Sequence, residues 1–135
     1  MGFAFLEHPD RCSTNLALAA CRAPIIQLRS LPEIHRRLTG QGFSMLSPVL
    51  DWRLTTGQVT LSHCGSRSVG MALVGDCINL AFHLSSMANK TLPAPIVLGP
   101  KTASWVVQEL PLTDLGDQEI RGRTDQGHLF GIQLT

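Results

Sequence analysis

Residues 70–86 read GMALVGDCINLAFHLSS, and the reading of this stretch decides the fold. Ser68 to Val74 has the character of a short strand, Gly75-Asp76 breaks it, and Ile78, Leu80, Ala81, Leu84 and Ala88 then recur at helical spacing. Asp76 is expected to cap that helix, because its carboxylate can accept from the free amides of a first turn. Asn79 and His83 stand four apart and share a face, while Leu80 and Leu84 form a pair on another. The stretch is therefore either an ordinary capped amphipathic helix or one that also presents a polar pair to a ligand.

Outward from this stretch, strand-like and helix-like segments alternate. Gly2 to Glu7 (GFAFLE) reads as a buried strand. Leu16, Ala19, Ala20, Ala23, Ile26 and Ile34 have helical spacing, but Pro24 and Pro32 each remove a backbone donor. One helix over about 13–30, bent near Pro24, and a shorter one over about 32–38 are expected. After the Gly40-Gln41-Gly42 turn, Val49 to Thr55 (VLDWRLT) alternates as a strand, and Val59 to His63 reads as its extension or hairpin partner. Beyond Pro93 and Pro95 come a strand at Ile96-Val97-Leu98, a short helix over Lys101 to Glu109, and strands over Leu112 to Ile120 and His128 to Leu134. The interleaving predicts an α+β fold, a mixed sheet with helices packed on one face, and the whole of residues 1–135 as one domain.

Composition narrows the function. Only 16% of residues are charged, against about 25% in a typical soluble domain, so part of the surface is expected to be covered by another chain or segment. Eleven basic and ten acidic residues leave a net charge of +1, and Arg36-Arg37 is the densest basic cluster. Nucleic-acid binding through phosphate neutralisation has no footprint in that distribution. The longest apolar runs, such as Leu16 to Ala20, fall far short of a membrane span, and the start lacks the pattern of a secretion signal. The expected location is cytoplasmic. Cys12, Cys21, Cys64 and Cys77 form no C-x-x-C pair and match no zinc framework, so they read as free, buried thiols. Gly65 to Gly70 has the glycine spacing of a phosphate loop but lacks the following Lys and Ser/Thr.

Several local words, taken in order, resemble the class III adenylate and guanylate cyclase catalytic domain. They are Thr56-Gly57-Gln58-Val59, then Val74-Gly75-Asp76-Cys77-Ile78-Asn79-Leu80-Ala81, then Leu115-Gly116 and Arg121-Gly122 before a closing strand. The second word is the specific one; the others gain weight from their order. The resemblance spans nearly the whole chain. It implies a ferredoxin-like nucleotide cyclase fold, N-terminally truncated so that the first strand and helices are missing, with sites formed between two such domains.

The resemblance also implies residue roles and losses. Asn79 falls at the ribose-positioning Asn. His83 replaces the Arg that stabilises charge on the reacting phosphate, and imidazole is only partly charged near neutral pH and has no two-donor fork. Ala72 falls where a polar side chain reads the purine, and Arg121 where a basic residue can meet phosphate. Gly2-Phe3-Ala4-Phe5-Leu6 resembles a G-D-x-F-L hairpin with Phe3 in place of a metal-binding Asp. A phenyl ring donates no oxygen to Mg²⁺ or Mn²⁺, so no metal ligand is retained and a metal enters only if a partner chain supplies its ligands.

Asn79 and His83 are thus the candidate catalytic pair, and Ala72, Asn79 and Arg121 the candidate nucleotide contacts. The expectation is a degenerate cyclase-like domain of intracellular signalling, inactive alone. It would act as a dimerising or regulatory module, as a homodimer or beside another cyclase-type domain, with a purine nucleotide as possible ligand and with no nucleic acid and no membrane segment. The alternative is an adenylate or guanylate cyclase, or half of one, whose metal site comes from the partner. A third reading is a small-molecule binding module that uses the vacant cleft.

Overall fold

The computed structural model describes residues 2–7, 10, 12–44, 46–63, 71–87, 92–120, 123 and 126–134. In chain order the elements are α1 (Ser13–Gly40), β1 (Trp52–Leu54), β2 (Thr60–His63), β3 (Met71–Val74), α2 (Asp76–Ser86), β4 (Ile96–Leu98), α3 (Pro100–Val106), β5 (Thr113–Glu119) and β6 (Gln126–Ile132). Four strands form a mixed sheet in the order β1-β4-β6-β5, with β1 and β4 parallel and the other pairs antiparallel. β2 and β3 form a separate antiparallel pair. The α+β class and mixed sheet expected from the sequence are what the chain adopts.

Alternation along the strands sorts the core into two layers. Ile96 and Leu98 of β4 join Ile132 of β6, Leu54 of β1 and residues of α1 and α3 in one cluster. Val97, one residue out of phase, joins Leu129 and Leu84 of α2 in the other. The helices, expected on one face, cover both: α1 and α3 lie on one and α2 on the other. The central strand reads as a continuous apolar run because both its faces are covered.

α1 corrects the expected break at its prolines. It is one helix of 28 residues with both Pro24 and Pro32 inside. Each interior proline costs about 3 kcal/mol or more. Full burial of a leucine contributes about 1.5–3 kcal/mol, and Leu16, Leu18 and Leu28 are buried with Ala17, Cys21 and Pro24 itself. Packing against the sheet and α3 therefore holds the first half continuous. Beyond Pro32, exposed Glu33 pairs with Arg36 and Arg37 at 2.9 and 2.7 Å, a small local support to the last turns. It ends where Gly42, at φ +89°, lets Gly42 N–H reach Thr39 O and Phe43 N–H reach Leu38 O.

Three other expectations change. Gly2 to Glu7 is neither strand nor buried; Phe3 is 63% exposed and its ring stacks on Trp52 at 5.7 Å. Aromatic content marked this segment as strand-like, but it forms no ladder among the described residues. The strand expected over Val49 to Thr55 is paired only at Trp52–Leu54. β2 neither extends β1 nor pairs with it, because its partner is β3. Of the cysteines, Cys21 is fully buried, which pushes its thiol up to about 11, whereas Cys12 is exposed and Cys77 half-buried. Cys64 and the Gly65–Gly70 segment lie outside the described residues.

Candidate functional site

The sequence words that stand apart along the chain meet at the start of α2. Gly75, the residue before the helix, is in extended conformation and packs directly on the Gln58-Val59 backbone. A Cβ at Gly75 would lie 2.5 Å from Gln58 O, and one at Gly57 would lie 2.8 Å from Cys77 Cβ. Neither glycine can carry a side chain without moving the other segment. Thr55 Oγ1 donates to Cys77 O at 2.6 Å, which ties the end of β1 to the first turn of α2. Thr56 and Thr102 share a hydrogen bond between their hydroxyls at 2.8 Å, linking the same loop to α3. The residue types that make Thr56-Gly57-Gln58-Val59 and Val74-Gly75-Asp76 recognisable thus follow from one close crossing.

Asp76 is corrected in role. It is the first helical residue rather than the cap: Gly75 stands at the cap, and no side chain caps the helix. Gly75 O accepts from Ile78 and Asn79 N–H at 3.1 and 3.2 Å. The Asp76 carboxylate instead receives both of its hydrogen bonds from Arg123 Nη1, at 2.8 and 2.9 Å. Asp76 is 78% exposed, so this pair is worth on the order of 0.5 kcal/mol. Its consequence is positional, because it ties the segment after β5 to the α2 N-terminus.

α2 divides its residues as the spacing requires. Leu84 is fully buried with Leu80 packed beside it on the sheet. Asp76, Asn79 and Phe82 are exposed, with Phe82 at 70%, and His83 is half-buried in the last turn, where a cation is favoured by the helix dipole. The Asn79 side chain makes no hydrogen bond among the described residues, so it does not serve as a backbone cap. The structure therefore brings Asn79 and His83 to one face of α2, with Asn79 exposed and its amide without a hydrogen-bond partner among the described residues. Ala72 lies on β3 opposite Ser62, its methyl half-buried, in a different element from that pair. Arg121 lies outside the described residues.

Phe3, which the resemblance sets at a metal-ligand position, offers a ring stacked on Trp52 and no oxygen. Among the described residues no group of three His, Cys, Asp or Glu side chains is arranged to hold a metal ion.

Sequence reasoning missed two polar clusters. One is Arg123 with Asp76, where Arg123 stands just beyond the Arg121-Gly122 word. The other is on the β5–β6 pair, where His128 Nδ1 meets Asp117 at 2.7 Å and Nε2 meets Asp114 at 2.8 Å. The two carboxylates raise the His128 pKa, while the Gly116 amide and His128 lower that of Asp114. Only the strand register brings these three together, so spacing along the chain gave no signal. A shallow apolar cleft of about 360 Å³ opens beside His128, over Ala103, Val107 and Phe130. It carries little chemistry, because both imidazole nitrogens are already engaged.

The class this architecture defines is an α+β, cyclase-like fold. It is similar to the solved structure of the adenylyl cyclase CyaB from P. aeruginosa, with a TM-score of 0.75 and 19% sequence identity over 93% of this chain. The chain spans 62% of that structure's length. No protein-family signature matches the chain, and no curated protein does. Among the described residues no helix is long and apolar enough to cross a membrane.

Proposed function

We propose that the chain is a cyclase-like domain of cytoplasmic signalling that is catalytically inactive alone and acts as a dimerising or regulatory module. The observation that carries this reading is α2 on a cyclase-like fold. Its outer face presents an unengaged Asn79 beside His83, where charge on a reacting phosphate calls for a permanent cation. Asn79 is assigned to a nucleotide's ribose, with Ala72 and Arg121 as the remaining candidate contacts. The methyl of Ala72 neither donates to nor accepts from a purine, so base selection at that position is lost.

Loss of the cation and loss of a metal ligand at Phe3 act on the same transition state, so either alone is expected to remove most of the activity and the two are not additive. A homodimer, or a heterodimer with another cyclase-type domain, is the expected assembly. The second reading, half of a working adenylate or guanylate cyclase, is favoured only if the partner brings the carboxylates. The test is cyclic nucleotide formation from ATP or GTP with Mg²⁺ or Mn²⁺ by the purified chain. No product above a buffer control is expected; metal-dependent turnover abolished by Asn79→Ala overturns the inactive reading and leaves the second.

A further inference from the structure

Residues three apart on a regular strand point to opposite faces of the sheet. Asp114 and Asp117 of β5 nevertheless reach the same side chain, because the β5–β6 register shifts between Asp114 and Gly116: Asp114 pairs with Phe130, Gly116 with Leu129 and Asp117 with His128. One extra residue on β5 is the mark of a β-bulge, and Gly116, at φ +74°, supplies the left-handed backbone that such a bulge uses. The bulge thus returns Asp114 to the face of Asp117. His128 stands between them, with Nδ1 2.7 Å from Asp117 Oδ1 and Nε2 2.8 Å from Asp114 Oδ1. An ionised carboxylate only accepts, so both contacts are hydrogen bonds only when both ring nitrogens carry a proton. Among the described residues no other charge faces the ring: α3 presents Pro100, Ala103, Ser104 and Val107 across the cleft, and its Lys101 lies over the Trp105 ring at 5.4 Å.

We propose that His128, Asp114 and Asp117 form a proton-operated clasp on the β5 bulge, closed while the imidazole is doubly protonated and open once it gives a proton to water. In the neutral ring one nitrogen turns a lone pair on a carboxylate oxygen at hydrogen-bond distance, and the two carboxylates are left with no cation between them. Asp117, directly opposite His128 in the ladder, keeps its hydrogen bond from Nδ1. Asp114, whose Oδ1 also accepts from Gly116 N–H at 2.7 Å, is the arm that lets go. The bulge then loses its tie to β6. The same ring packs on Phe130, with centroids 5.0 Å apart, and forms one wall of the apolar cleft, so the closed clasp also fixes that wall. Asp117 and Asp114 raise the His128 pKa, and the Gly116 amide and His128 lower that of Asp114. The clasp is therefore closed between those two values, and it opens as pH rises through the folded value of His128 or falls through that of Asp114. The inference stands on the β5–β6 pair alone and does not rest on the proposed function.

A pH titration of the full chain followed by nuclear magnetic resonance tests it. The His128 ring is expected to titrate with a midpoint above the ordinary imidazole value of about 6.5, and the amide signals of Leu115, Gly116 and Asp117 should move with that same midpoint. Asp114→Asn and Asp117→Asn keep the shape of each arm and remove its charge. Each should raise the proton dissociation constant of His128 by about two- to fivefold, the scale of an exposed ion pair. His128→Gln should abolish the movement of the three amides, which separates the clasp from the titration of the other histidines. A His128 midpoint at or below the ordinary value, or one that either Asn variant leaves unmoved, overturns the clasp. So do β5 amides that stay still while His128 titrates, or that still move in His128→Gln.

Discussion

The four-stranded sheet and the β2–β3 hairpin use similar apolar residues to opposite ends. In β4 every residue is buried, with Ile96 and Leu98 under α1 and α3 and Val97 under α2. In β2 every residue is exposed, and Leu61 and Val74 show 46% and 60% of their surface to solvent. The sheet is held by burial on two faces. The hairpin is joined to the rest by the close crossing of Gly57 and Gly75 with the first turn of α2. The difference teaches where stability resides: the two-sided sheet carries the buried core, while the hairpin and the outer face of α2 stay exposed.

The contrast breaks most visibly at Leu84, the α2 residue fully buried on the sheet. Leu84→Ala should cost about 2–5 kcal/mol through the lost contacts and the remaining cavity. Chemical denaturation measures it, and a cost below about 1 kcal/mol would mean that α2 is not anchored there. Gly75→Ala probes the crossing: with Gln58 O only 2.5 Å from the new Cβ, a loss of about 1–3 kcal/mol is expected from forced backbone movement. Unchanged stability would show that the two words are not locked together.

A third test concerns the exposed His128 cluster, through its pH dependence. The folded-state pKa of His128 is raised, so its contribution is fully present below the unfolded value and is lost as pH rises through the folded one. That of Asp114 is lowered, so its contribution is lost as pH falls through its folded value. The Tm difference between wild type and His128→Gln should therefore be larger near about pH 5.5 than near about pH 8. A difference independent of pH would show that the imidazolium is not the interacting form.

What was legible in the sequence followed from local rules. α2 was readable from the spacing of Ile78, Leu80 and Leu84, and β4 from its continuous apolar run. Asn79 and His83 were placed on one face because residues four apart must share one. What was not legible depended on contacts distant in sequence. α1 continues through Pro24 because the burial around it outweighs the cost of the proline, which no window of propensity contains. Gly2 to Glu7 misled because two phenylalanines in six residues resemble a strand whether or not a ladder is there to receive them. Asp76 was well placed for a cap, yet Arg123, 47 residues on, takes its carboxylate.

The central claim is that α2 has one face for the sheet and another for a ligand, and paired measurements on Asn79→Ala test it most directly. Thermal melts and titrations with ATP and GTP are made on wild type, Asn79→Ala and Leu84→Ala. The account predicts that Asn79→Ala weakens nucleotide binding while leaving stability within about 0.5 kcal/mol of wild type, as for an exposed side chain. If Asn79→Ala instead destabilises as much as Leu84→Ala and changes no nucleotide affinity, Asn79 is structural and the account of this face is wrong.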